Sequence, residues 1–81
     1  MRLDKFLKLS RIIKRRTVAN EACDVGRIEV NGRVVKASYD VKENDIVEIS
    51  FGEKKLKIKV LSVREVIRQN DASELYEVLP E

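Results

Sequence analysis

Leu3, Phe6 and Leu7 recur at i, i+3 and i+4, which predicts a helix over 2–9 with one apolar side. Arg2, Lys5 and Lys8 fall on its other side. Cations then continue at every third position to Arg11 and Lys14. A spacing of three does not match the ~3.6-residue helical repeat, so a straight helix would carry that row around its circumference and set Leu9 among the charges. The pattern therefore predicts that the helix stops near Leu9 and that a linker through Ile12 and Ile13 resets the phase. Thr17 is the expected N-cap of a second helix, because its hydroxyl can accept from the free N–H groups of the following turn. Val18, Ala19, Ala22, Cys23 and Val25 form an apolar face opposite Asn20, Glu21 and Asp24, and Gly26 stands where a C′ residue takes positive φ. That places the second helix at about 18–25.

From Arg27 the period changes to two. Ile28 and Val30 are expected to point inward, and Asn31-Gly32 is a strong type I′ hairpin signal, since both central residues need φ > 0. A returning strand takes Val34–Lys36. Tyr39 and Val41 lead into a turn at Lys42-Glu43-Asn44-Asp45. Val47, Ile49 and Phe51 alternate with Glu48 and Ser50, the mark of a half-buried strand, with Phe51 as well as Phe6 expected in the core. Gly52-Glu53-Lys54-Lys55 is read as a turn, followed by a strand with Leu56, Ile58 and Val60 inward. Residues 64–73 are polar apart from Val66, Ile67 and Ala72 and read as a loop or bulge, and Tyr76, Val78 and Leu79 as a last short strand. The expected fold class is α+β: two short N-terminal helices packed on a small, mostly antiparallel sheet, in one domain over 1–81.

Charge sharpens this picture. Seven of the first sixteen residues are cationic, opposed only by Asp4, so that stretch carries about +6 while the rest carries about −3. The whole-chain charge of +3 conceals this polarity. A basic end on an otherwise acidic small domain suits a polyanionic partner docked in one orientation. The chemistry available for other roles is sparse. There is no histidine and a single cysteine, Cys23, so these residues assemble neither a disulfide nor a zinc-ligand set. No cofactor is expected. Without a histidine, a general base near neutral pH would have to be a shifted carboxylate, lysine or the lone thiol, and no spacing nominates one. The glycines are isolated rather than gathered in a phosphate loop, and no apolar run is long enough to cross a bilayer. A cytoplasmic, non-enzymatic protein is the expectation.

Four segments occur in a familiar order: Arg2-Leu3-Asp4-Lys5-Phe6-Leu7, Arg16-Thr17, Gly26-Arg27-Ile28-Glu29-Val30-Asn31-Gly32 and Asn44-Asp45-Ile46-Val47. Together they resemble the S4 domain, the small RNA-binding module of ribosomal proteins, pseudouridine synthases and tyrosyl-tRNA synthetases. The unappended form, with Ala72-Ser73-Glu74-Leu75-Tyr76-Glu77 near its end, resembles the bacterial ribosome-rescue group, RqcP-like proteins and the related small ribosome-associated heat-shock protein. Asn44 departs from the glycine common before Asp45, but asparagine tolerates the left-handed region, so the turn is expected to survive. The long basic C-terminal extension of the heat-shock relative is absent from this sequence, which tilts the resemblance towards the RqcP-like members. The resemblance implies a factor docked on the obstructed large ribosomal subunit through rRNA and peptidyl-tRNA, supporting alanine tailing by an RqcH-type factor, and a monomer off the ribosome.

On this reading the RNA-binding candidates are Arg2 and Arg16 first, then Lys5, Arg11, Lys14 and Arg15, with Lys8 and Asn31 behind them. Arg2 and Arg16 lead because each flanks a helix start and matches a motif position, and a guanidinium can hold phosphate in a bidentate way. Asp4 is read as structural, favoured in a first helical turn or paired with a nearby arginine, with orientation of Arg16 as the alternative. Cys23 is read as a packing thiol. Lys54, Lys55, Lys57 and Lys59, interleaved with Glu48 and Glu53, are read as a solvated strand face. Three other functions stay open on sequence alone: a general ribosome-assembly or tRNA-binding module, a basic amphipathic membrane-surface module using 2–16, and a detached domain of an RNA-modifying enzyme.

Overall fold

The computed structural model describes residues 1–63 and 75–80. Among them, helices α1 (Leu3–Leu9) and α2 (Arg16–Asp24) precede strands β1 (Ile28–Val30), β2 (Arg33–Val34), β3 (Ile46–Phe51), β4 (Lys54–Val60) and β5 (Tyr76–Val78). The strands form an antiparallel sheet in the order β2-β1-β3-β4-β5. This is the α+β arrangement expected. The loop expected at 64–73 lies outside the described residues.

The period-two pattern sets the inner face. Ile28 pairs with Ile49 and Val30 with Val47, while Val47 pairs in turn with Ile58. These residues and Val60 are essentially inaccessible and pack with Leu3, Phe6 and Leu7 of α1 and Ala19 and Cys23 of α2. Helix α1 is short, and the loop before β3 closes its start. The N–H groups of Leu3 and Asp4, which have no helical acceptor, donate to the carbonyls of Tyr39 (2.8 Å) and Ala37 (3.1 Å). An isolated bridge between Arg2 and Asp40 holds the same junction.

The turns follow residue chemistry. Asn31 (φ 53°) and Gly32 (φ 83°) both take the positive φ of a type I′ turn. Asn44 is left-handed at φ 74°, so the turn without glycine does form. The two turns are bonded to each other. The Asn31 side chain donates to Asp45 Oδ1 (3.1 Å) and accepts from the Ile46 N–H (2.9 Å). Asp45 Oδ2 also accepts from the Tyr39 hydroxyl and the Lys42 N–H.

Several expectations are corrected. Phe51 is exposed at 47% rather than in the core. It lies one inward step past Ile49, where β1 has already ended at Ile28, so its one strand neighbour is Lys54 of β4 and no apolar strand residue lies beside it. Val18 and Val25 are exposed, and α2 buries only Ala19 and Cys23. The second strand stops at Val34 instead of Lys36. Lys54 and Lys55 are not turn residues but pair with Phe51 and Ser50. The hairpin needs only Gly52-Glu53, with Gly52 alone at positive φ, as a type II′ turn requires.

Asp45→Ala removes the acceptor of three hydrogen bonds, of which the one from Asn31 joins the two turns. Urea denaturation is expected to show a loss of about 1–2 kcal/mol. An unchanged midpoint would mean that the turns are held without this carboxylate.

Candidate nucleic-acid interface

Helix α2 begins with a local contradiction. Its first residue is Arg16, its first turn holds no acid, and Arg15 at the N-cap makes no side-chain cap bond. A cation there opposes the helix dipole. Thr17, expected as the cap, is the second helical residue, because the extended residue (φ −114°, ψ 127°) is Arg15. The missing negative charge comes from the other helix. Asp4, 1% exposed, directs its carboxylate to the start of α2, where Oδ2 lies 3.3 Å from Arg16 Nε and accepts from Asn20 Nδ2 at 3.4 Å. Arg2 Nε and Nη2 donate to Oδ1 and Oδ2, each at 3.2 Å, and the Lys5 N–H donates to Oδ1 at 2.8 Å.

Burial alone would raise the pKa of Asp4. The hydrogen bonds from Arg2, Arg16, the Lys5 N–H and Asn20 together outweigh it and hold the carboxyl below its usual value. Asp4 is thus structural, as expected, and it also orients Arg16, the alternative role. Asn20 is a member of the site that sequence reading left on the solvent side of α2. Its spacing of four from Arg16 was the available signal.

The arginines keep most of their donors. Each guanidinium has five N–H groups; Arg16 gives one to Asp4 and Arg2 gives two. Both side chains are about half exposed, at 50% for Arg2 and 46% for Arg16. They border a groove of about 440 Å3 also lined by Asp4, Thr17, Asn20 and Glu21. The structure therefore brings Arg2 and Arg16 together on one carboxylate. Lys8, Arg11, Lys14 and Arg15 are exposed around the end of α1 and the linker, and no carboxylate among the described residues pairs with them. Lys5 is half-buried. Asn31 stands apart, with its amide committed to Asp45 and Ile46.

On the sheet the charges are of mixed sign. On the outer sheet face, Lys55 Nζ is 3.3 Å from Glu48 Oε1, Lys57 pairs across from Glu48, and Lys59 across from Glu77. Cys23 is buried, and its pKa is pushed up to about 11, by burial first and then by Asp4 and Asp24, so the thiol stays protonated and unreactive at neutral pH. Among the described residues no group of histidine, cysteine and acidic side chains could hold a metal ion.

A buried carboxylate that holds two half-exposed guanidinia, beside cations that meet no carboxylate among the described residues, has the chemistry to receive phosphate oxygens. The chain belongs to the S4 domain family, whose family model matches residues 1–47. Along its whole length it is 57% identical to the RQC P-site tRNA stabilizing factor of Streptococcus pneumoniae and covers 92% of that protein. It is 56% identical to the factor of the same name from Halalkalibacterium halodurans, again over the whole chain and 92% of the relative. Among solved structures, the trimeric structure of Vibrio cholerae Heat Shock Protein 15 is 26% identical and superposes with a TM-score of 0.89 over 98% of this chain and 81% of that one.

The lowered pKa of Asp4 has a signed consequence. Its contribution to stability is complete above the unfolded carboxyl value of about 3.9 and is lost as pH falls through the lower folded value. Urea midpoints measured from pH 5 downward are expected to fall below about pH 4, and to fall less in Asp4→Asn, which has no carboxyl to protonate. Equal acid sensitivity in both proteins would remove Asp4 from this role.

Proposed function

We propose that this protein is a non-enzymatic RNA-docking factor of ribosome-associated quality control. It binds the obstructed large ribosomal subunit and stabilises P-site tRNA there, while an RqcH-type factor extends the stalled peptide with alanine. The named function of its full-length relatives supports the P-site tRNA assignment. The observation that carries the RNA reading is the pair Arg2 and Arg16, fixed on Asp4 with free donors facing solvent. Fixed guanidinia lose little freedom when phosphate arrives, and unpaired Lys14 and Arg15 beside them add attraction that acts over distance. Lys5, Lys8 and Arg11 extend the same surface. Recognition on this reading is of backbone shape, because base edges in an A-form major groove are out of reach. Contacts to both rRNA and peptidyl-tRNA would let one small domain make a single tRNA position more populated.

The membrane-surface reading is less favoured. Its insertion face would be Leu3, Phe6 and Leu7, which are wholly occupied in the core. Among the described residues no helix is long and apolar enough to cross a membrane.

Two measurements test the proposal. Neutralising about five phosphates makes log K for large subunits carrying peptidyl-tRNA fall by roughly 4 per decade of salt, and Lys14→Gln with Arg15→Gln is expected to lower that slope by about 2. Arg16→Gln, with circular dichroism as the check that the helix is intact, is expected to weaken binding about tenfold. In sucrose gradients of native lysate, the protein is expected to travel with large subunits bearing peptidyl-tRNA. Travel with immature subunits instead would favour a general assembly module, and undiminished binding by Arg16→Gln would discard this surface.

A further inference from the structure

Helices α1 and α2 both end on a left-handed C′ residue, but of different type. In α2 the C′ residue is Gly26, at φ 75°; its N–H donates to the Cys23 carbonyl (3.1 Å) and the Arg27 N–H to Ala22 (2.9 Å), both bonds of a Schellman ending. In α1 the C′ residue is Arg11, at φ 63°, with its N–H on the Lys8 carbonyl at 3.0 Å. The Ile13 N–H then returns to the Leu7 carbonyl at 3.2 Å. Among the described residues, every other positive-φ position is glycine or asparagine, which adopt this region at little cost. An arginine there is strained by its Cβ.

The surroundings enforce the conformation. Ser10 before it is buried, its hydroxyl bonded to the Leu7 carbonyl at 3.2 Å, and Ile13 after it enters the core. Arg11 itself is exposed, and its guanidinium has no partner among the described residues. Among the described residues the side chain thus has no ion pair or hydrogen bond that would offset the strain. It also adds one more charge to a crowded cationic strip. Strained backbone held by well-packed neighbours points to use of the residue in a complex.

We propose that Arg11 is a phosphate anchor at the opposite end of α1 from Arg2, retained in a conformation that glycine would adopt with less strain. The left-handed turn aims the guanidinium outward at the junction of the helices, and the ligand is an RNA backbone phosphate. This inference rests on the RNA-docking reading and deepens it.

Arg11→Gly separates the two roles, because it relieves the strain and deletes the contact together. The variant is expected to melt about 4 °C higher than the parent. It is expected to bind large subunits carrying peptidyl-tRNA about tenfold more weakly, with the salt slope lower by about 1. Arg11→Lys is expected to keep the slope and recover part of the affinity, since it keeps charge without the fork. Arg16→Gln measured alongside tells the two failures apart. If Arg16→Gln weakens binding and Arg11→Gly does not, the anchor is wrong and the docking surface stands. If neither does, the surface itself is wrong. A lower melting temperature for Arg11→Gly would overturn the strain argument.

Discussion

The Asp4 carboxylate is the contact on which both the helical layer and the basic surface depend. An ionised group this deeply buried is tolerated only when it is fully hydrogen-bonded, and here four groups from two helices converge on its two oxygens. Removal of one partner from such an arrangement leaves charge in a poorly hydrated place, so the partners hold one another in position. The consequence is geometric. Arg2 precedes α1 and Arg16 opens α2, yet a single carboxylate fixes the angle between them. It also supplies the negative charge that the first turn of α2 lacks. Fold stability and surface orientation are therefore one interaction rather than two.

Beyond that centre the molecule treats its charges in opposite ways. On the outer sheet face, lysines and glutamates lie across from one another on neighbouring strands, so little field leaves that surface. Around the end of α1 the cations meet no carboxylate among the described residues. Such asymmetry does not assist folding, because like charges repel in the compact state. It does orient the molecule towards a polyanion before contact. The mixed sheet face lacks that sign bias, which leaves the helical end as the side where phosphate is drawn.

How far all this was legible in the chain depends on whether the deciding physics was local. Asn31-Gly32, Gly26 and Asn44 took their expected backbone conformations because residue type alone licenses φ > 0 there. Alternation gave the inward faces of β1, β3 and β4 because the pleat is regular. Thr17 failed as a cap because the charge that anchors α2 is contributed by Asp4, twelve residues before Arg16. Phe51 failed as core because alternation says which side a residue faces, not whether anything covers it. The site was half visible: Arg2 and Arg16 were nominated separately by motif position, but their meeting on one carboxylate, with Asn20 as a third side-chain donor, is a tertiary fact. Arg11 was read only as a charge, since nothing about arginine announces a left-handed residue.

These features bear together on the state of the free protein. A chain of 81 residues has little surplus stability. This one spends part of it on a strip of unpaired cations and a left-handed arginine. Both are unfavourable only while the surface is empty. On the proposed RNA surface, phosphates neutralise the repulsion, and the guanidinium of Arg11 gains the partner it lacks among the described residues. A ligand that binds only the folded form also shifts the folding equilibrium by mass action. Docking and folding are then linked through the same residues. The sequence changes that would most stabilise the isolated chain, loss of a linker cation or glycine at Arg11, are the ones that would most weaken the proposed RNA contact.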